Sequence, residues 1–478
     1  MPVTEEFVKM LMEEIVQLNQ TIESLNQTIR ELQEKLNQNS KNSSRPPSSD
    51  GLKKPLVNKD RSLRRPSGRK PGGQNGHEGR YFSALSKPDH TEHHMHSDCT
   101  CCPYHDACLE KACTREVRHE VDAVLKTDVT AHKLMMVKDC PLHGGTKAGS
   151  FPENIKAAVQ YGRNLQALVV AFNTVGAVSI HRTHEILSSV FQISLATGTI
   201  KNMVGRCAQI LNGTYEEIRR QMSRRDLIHC DETGTRVDGK TCWVHNASDS
   251  GFTFLSISRK RGQAGMNEAG ILPVYHGTLV HDCWNSYWKY EDVRHAVCCA
   301  HLLRELNGVE QNHPEQTWAP EFKKLLLSMK KAKEKALAKG KAEISRYYHQ
   351  KFDKQYDAIL KTAYAENPLP EPGNKKRGRP KKGRILNLIG RLDKYKASVC
   401  LFINDLTVPF DNNQAERDIR MVKVKTKVSG CFRSMEGAQE YLIIMSYIGT
   451  ARKHGINPYE AIQSALSGRT GIIFEQGC

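Results

Sequence analysis

The sequence predicts a multidomain α+β protein, and three observations carry the prediction. Residues 8–36 repeat apolar side chains at helical steps, and residues 99–143 concentrate cysteine and histidine. Residues 225–305 alternate apolar, strand-like runs with helical stretches, and two of those runs end in acids. At 478 residues the chain has room for two to four domains, one with a substantial core.

The first element, residues 1–38, is expected to be a coiled-coil dimerisation segment. Val8, Leu11, Ile15, Leu18, Ile22, Leu25, Ile29, Leu32 and Leu36 follow strictly alternating steps of three and four, Ile mostly at a and Leu at d. That choice favours a parallel two-stranded coil, hence a homodimer or higher oligomer. An amphipathic helix lying on its own domain is the competing expectation. Polar flanks (Asn19, Gln20, Asn26, Gln27) oppose it, because they leave a stripe only two positions wide. Residues 39–90 are rich in Ser, Pro, Gly, Lys and Arg, cannot bury enough apolar area to fold alone, and read as a basic disordered linker.

Residues 91–150 are expected to form a zinc-binding module. "HSDCTCCPYHDACLEKAC" offers Cys99, Cys101, Cys102, His105 and Cys108, and "KDCPLHGG" offers Cys140 and His143. Two turns, each with ligands two residues apart and separated by a strand-like stretch, are how a structural Zn²⁺ site is made. Cys140 with His143 is the clear pair. On the other side Cys99 with Cys102, or Cys102 with His105, would serve equally. The set carried forward is Cys99, Cys102, Cys140 and His143, the alternative being ordinary reduced thiols. Fifteen cysteines in a chain of this size fit a reducing cytoplasm.

Residues 151–224 read as helices. "SIHRTHEILSSVF", the break "QISLA" and "TGTIKNMVGRCAQILNGTYEEIRRQM" suggest a helix-turn-helix-like DNA-binding domain, a pattern that many helical hairpins share. The charge agrees: 70 Lys plus Arg against 52 Asp plus Glu give +18, which suits a polyanion, nucleic acid first. A membrane is not expected. The longest apolar stretch, "ALVVAFNTVGAVSI", is too short to span, and the N-terminus has acids where a signal peptide needs bases. The expected location is cytoplasmic and nucleoid-associated.

Within "LIHCDETGTRVDGKTCWVHNA", residues 227–247, an apolar run ends in Asp231 and Glu232 before turning through Asp238-Gly239. "GTLVHDCWNSYW" places Asp282 at the end of a second strand, and "HAVCCAHLLRELNGVE" runs from strand into a helix bearing His301, Arg304 and Glu305. Further on, "VPFDNNQAERDIRMVKVKTKVSGCFRS" starts a helix at Asp411 with Glu416 one turn in and Arg417, Arg420 and Lys423 nearby. Asp231, Asp282 and Glu416 are the hard-oxygen set that a pair of divalent ions needs, and such ions drive in-line phosphoryl displacement. Glu232 is expected to face elsewhere, since successive side chains on a strand alternate. His301 and Arg304 line the site and contact the scissile phosphate, or else pack as a helix with an ion pair to Glu305. A helical insertion, residues 306–399, carries "KKRGRPKKGR". There Arg377 and Arg379 resemble an AT-hook for the minor groove of A·T tracts, or belong to a solvated basic loop.

"DETGTRVDGKTCWVH", "HDCWNSY", "CAHLLREL" and "DNNQAERDIRMVKVKTKVSGCFRS" resemble the blocks of the DDE transposases of the insertion sequence 66 family. "LNQNSKNSSRPPSSDG", "GRKPGGQNGHEG", "FPENIKAAVQYGRNLQALVV" and "SYIGTARKHGINPYEAI" extend the similarity over nearly the whole chain. The resemblance implies a ribonuclease-H-like mixed α/β catalytic core, divided between residues 225–305 and 400–450, with 451–478 as a C-terminal tail. It also implies DNA cleavage and strand transfer dependent on Mg²⁺ (or Mn²⁺), with terminal inverted repeats and target DNA as partners beside accessory proteins of the same element. By motif, the catalytic acids are Asp231, Asp282 and Glu416. Arg377, Arg379, Arg417, Arg420 and Lys423 are the candidate DNA contacts. A non-catalytic DNA-binding regulator and a metal-dependent nuclease of the same fold are the alternatives.

Overall fold

The computed structural model describes residues 5–39, 42–43, 90–94, 96–97, 102–114, 117–118, 126–138, 141–142, 146–153, 155–369 and 383–475. The chain divides into two compact units, residues 54–129 and residues 1–53 with 130–478. Helix α1 (Glu5–Asn37) runs unbroken, as a segment with no Gly or Pro can. Its nine seam residues are 41–84% exposed, so no other described part of the chain covers them. In the smaller unit the described residues form one short helix, α2 (His105–Lys111). Strand character between the two Cys/His turns is confined, among the described residues, to β1 (Met136–Val137), which pairs antiparallel with β2 (Lys147–Ala148).

The helical segment forms as its pattern indicates: α3 (Arg163–Asn173), α4 (Ile180–Val190) and α5 (Thr197–Ser223). Ser179 caps α4 by accepting the Arg182 N–H at 3.2 Å. Val169, Leu187, Leu195, Ile200 and Met203 make a small cluster of their own. The inner face of α5 (Val204, Cys207, Leu211, Ile218, Met222) belongs instead to the main core, continuous with the sheet.

That sheet has five strands: β3 (Leu227–Val237), β4 (Lys240–Ser248), β5 (Thr253–Ser258), then, beyond the short helix α6 (Gln263–Ala269), β6 (Thr278–His281) and β7 (Arg294–Val297). Asp238 and Gly239 both take positive φ, +49° and +70°, which is what a two-residue hairpin turn between β3 and β4 requires. The order is β5-β4-β3-β6-β7, with the first three strands antiparallel and β6 and β7 parallel to β3, so β3 is central.

After β7 come α7 (Cys299–Asn312), α8 (Trp318–Leu337), α9 (Arg346–Glu366), α10 (Arg384–Lys394), α11 (Lys396–Val399) and α12 (Leu401–Asn404). They build a second core around Trp318, Phe322 and Tyr356, which reaches the sheet through Val280, Ala296 and Val297. The chain then returns to the main core with α13 (Asn413–Ser429), α14 (Met435–Lys453), α15 (Pro458–Leu466) and α16 (Ile472–Glu475). α14 buries Tyr441, Leu442, Ile444, Tyr447 and Ile448, so it is apolar on most sides and sits inside the core. The α+β class holds. Among the described residues no helix is long and apolar enough to cross a membrane.

Candidate active site

Alternation along β3 sorts its side chains onto two faces. His229 and Thr235 meet α13, through Asn412 Oδ1 (2.8 Å from His229 Nδ1) and Thr426 Oγ1 (3.2 Å from Thr235 Oγ1), and Asp231 shares their parity. Glu232 points the other way. It accepts from Arg261 Nε at 2.6 Å and lies 3.9 Å from Nδ1 of His245, its cross-strand neighbour on β4. The parallel strand then brings in a second acid. His229 pairs with Val280; Asp231 lies two positions beyond the first within β3, and Asp282 two beyond the second, just past the end of β6.

The third acid arrives on α13, whose start is tied to the sheet by buried polar bonds. The helix begins two residues later than expected, at Asn413, with Asn412 as its N-terminal flank. Asn412 donates Nδ2 to Cys230 O (2.7 Å), and Asn246 donates Nδ2 to Ala415 O (3.1 Å). Asp418 accepts from Lys453 Nζ (2.7 Å) and from Thr253 Oγ1 (3.3 Å). These bonds fix the first turn of the helix, where Glu416 sits.

Asp231 lies within reach of the charges of both other acids. Burial pushes the Asp231 pKa up to about 7, and the charges of Asp282 and Glu416 push in the same direction. The Glu232 N–H on Asp231 Oδ1 (2.8 Å) and the charge of Lys423 oppose the rise. Burial also raises Asp282, against the charge of His301 and the Trp284 N–H that bonds Oδ1 at 3.0 Å. Glu416 is held differently. Its Oε1 lies 3.3 Å from Arg304 Nη2 and 3.9 Å from His301 Nε2. Burial, then the Arg304 charge, lowers the His301 pKa, and its Nδ1 is buried without a hydrogen-bond partner among the described residues. The alternative pairing of Arg304 with Glu305 does not form, because Glu305 is taken by both Nη groups of Arg391. Among the described residues no three His, Cys, Asp or Glu are gathered tightly enough to hold a metal ion, so the acids are neighbours and not a closed cage. The three side chains are half-buried, and carboxylates are the donor type that hard cations take.

The other expected residues are less gathered. Arg417 and Arg420 are exposed on α13, and Lys423 is half-buried close enough to act on Asp231. Cys99, Cys140 and His143 lie outside the described residues, as do Arg377 and Arg379; Cys102 is half-buried just before α2. Sequence reasoning missed Asn412, Asn246, Asp418, Lys453 and Arg261. The Asn pair ahead of α13 is a helix-start signal, but nothing local foretells which strand its amide will reach.

Comparison with known proteins bears on this geometry. A model described as "Transposase IS66 family" matches residues 158–440, more than half of the chain, and spans all three acids. A model described as a family of unknown function (DUF6444) matches residues 2–81. The "Uncharacterized protein y4hP" of Sinorhizobium fredii (strain NBRC 101917 / NGR234) is 21% identical over 406 residues, covering 77% of this chain and 70% of its own length.

Proposed function

Since this chain belongs to the transposase IS66 family, we propose that it cuts and joins DNA with Asp231, Asp282 and Glu416 as the acidic triad. The observation that supports the reading is the neighbourhood of Asp231: β3 and β6 run parallel, and the charges of Asp282 and Glu416 both act on Asp231. A central β3 with two antiparallel and two parallel companions supports a ribonuclease-H-like core. The three carboxylates fit Mg²⁺ or Mn²⁺. Such ions, when bound, activate a water or 3′-hydroxyl and stabilise the leaving oxygen of a phosphodiester.

The chain's own residues do the rest. Asp231, held up to about 7 by burial and by its acidic neighbours, is a carboxylate whose charge is poorly compensated without a cation. Arg304 and His301 steady Glu416 from α7 and lie where a scissile phosphate would need positive charge and a hydrogen-bonding ring. Arg420 and Lys423 follow Glu416 at helical steps of four and seven, giving α13 a basic edge beside the acids, with Arg417 next to it. Arg377 and Arg379 extend the same role to the element's terminal repeats and to target DNA. The bare seam of α1 supports self-association into a homodimer or larger assembly. A structural Zn²⁺ on Cys99, Cys102, Cys140 and His143 completes the reading, and elemental analysis should find about one zinc per chain.

The test is cleavage of DNA bearing the element's ends with Mg²⁺ present. Asp231→Asn, Asp282→Asn and Glu416→Gln should each lower cleavage by orders of magnitude while DNA binding survives, since binding rests on basic side chains. Glu232→Gln, on the opposite face, should retain far more activity than Asp231→Asn. Equal loss from both would mean that the metal-facing acid is misassigned, and full activity in any triad variant would remove that residue from the site.

A further inference from the structure

Between β5 and α6 the chain reads Arg259-Lys260-Arg261-Gly262, and its three basic side chains are all exposed. Arg259 and Lys260 have no ion-pair partner among the described residues. Arg261 is built in. Its guanidinium carbon lies 4.3 Å from the Trp243 ring centroid and 4.5 Å from that of Trp284, and its Nε sits on Glu232 at 2.6 Å. Two indoles and one carboxylate thus contact the group, which restricts its rotamers. The Nη edge has no hydrogen-bond partner among the described residues, and the side chain is still 51% exposed.

The clamp is joined to the acid cluster. Trp284, one of its two jaws, donates its backbone N–H to Asp282 Oδ1 at 3.0 Å. Gly262 makes that approach possible: φ is +80°, and a Cβ there would stand 3.0 Å from Ser286 Oγ and 3.4 Å from the Trp284 ring. A planar fork with one edge left free is the geometry that binds a phosphodiester bidentately. We propose that Arg261, held between Trp243 and Trp284 and oriented by Glu232, grips a DNA backbone phosphate and positions the strand beside Asp282. The proposal rests on the DNA-cleaving reading above and adds a contact from the loop between β5 and α6, whose Arg261 charge reaches Asp282. Neutralising Glu232 alone is the competing role for this side chain.

The test uses the full chain and a fluorescein-labelled, random-sequence DNA duplex in EDTA, so that binding is read without cleavage. In the wild type, phenylglyoxal should modify Arg261, as mapped by mass spectrometry, and bound duplex should protect it. Inorganic phosphate at the same phosphate concentration should not. Equal modification with and without duplex, or protection by inorganic phosphate alone, would overturn the assignment. The paired variant Arg261→Gln with Glu232→Gln removes both charges together and leaves no buried carboxylate unpaired. It should bind the duplex about tenfold more weakly, the scale of one charge-assisted hydrogen-bonded contact. Its slope of log affinity against log salt should be shallower by about 0.9, one phosphate's worth. Unchanged affinity and slope in a variant that melts like the wild type would leave Arg261 a structural partner of Glu232 only. A wild type that does not bind the duplex at all would instead sink the functional reading itself.

Discussion

Helices α1 and α13 solve opposite problems. α1 carries nine apolar seam residues and leaves them in solvent, whereas α13 is a strongly polar helix whose start is locked to the sheet by buried hydrogen bonds. The ties of α1 to the rest of the chain lie at its C-terminal end and just beyond. Glu34 Oε1 meets His313 Nε2 at 2.5 Å, and Asn42 donates Nδ2 to Gln311 Oε1 at 3.0 Å. The contrast follows from what each helix must present. An apolar stripe is satisfied by any matching stripe, so it can wait for a second copy. A carboxylate proposed to work beside two others needs directional bonds, and those come from amides and ion pairs.

The largest expected effect breaks the first half of that contrast. Ile22→Lys with Leu25→Lys would place unpaired ammonium groups in a buried seam, at a cost of a few kcal/mol per introduced charge, on the order of 10 kcal/mol for a dimer. Sedimentation should show the assembly dissociated while the main melting transition is unmoved. An unchanged oligomer would mean that the seam is not the principal contact. Next comes α13. Lys453→Met leaves the buried Asp418 without its cation and should cost about 3–5 kcal/mol in chemical denaturation, with assembly through α1 preserved. Loss of assembly in this variant would show that the two helices are not independent. Asn412→Ala is smaller, about 1–3 kcal/mol, because it strips hydrogen bonds from Cys230 O and His229 Nδ1. Its sharper readout is cleavage, which should fall further than stability does as Glu416 loses its fixed base.

The smallest effect is a pH dependence. Burial lowers the Lys425 ammonium from 10.5 to about 8, and its Nζ donates to Asn173 O (2.9 Å) and Val178 O (3.0 Å) in the turn between α3 and α4. Above about pH 8 the unfolded chain holds this proton more firmly than the folded one. Stability relative to Lys425→Met should therefore rise from about pH 8 toward 10.5, by about 1 kcal/mol over the first unit. Denaturation midpoints of the two proteins that stay parallel through this window would show Lys425 to be solvated.

Legibility in the sequence divides along the same line. The seam of α1 and the turn at Asp238-Gly239 are local patterns, and periodicity or turn chemistry reveals them; Asp282 does close its strand, but Asp231 does not, because β3 runs on through it to Val237. The opposed faces of Asp231 and Glu232 follow from strand alternation alone. Asn412 on Cys230, Lys453 on Asp418 and Trp243 with Trp284 around Arg261 join residues far apart in the chain, and no window of sequence contains them. Arg304 shows the limit well. An ion pair with its neighbour Glu305 is one of two expectations, yet Arg391 from the helical insertion occupies Glu305, leaving Arg304 to Glu416. The expected separateness of the helical segment also fades in the structure, since α5 spends one face on a small cluster and the other on the sheet's own core.

Gly308 gives the attachment of α1 a mechanical meaning. A Cβ at that position would stand 2.2 Å from Asn42 O, so the strand leaving α1 lies directly against the backbone of α7. The rod is about 50 Å long at 1.5 Å per residue, and its foot rests on the helix whose opposite end carries His301 and Arg304. A rod of that length amplifies any tilt at its base, about 5° there corresponding to about 4 Å at the tip. Substituting Ala for Gly308 would set a methyl group against Asn42 O and push the foot off its seat.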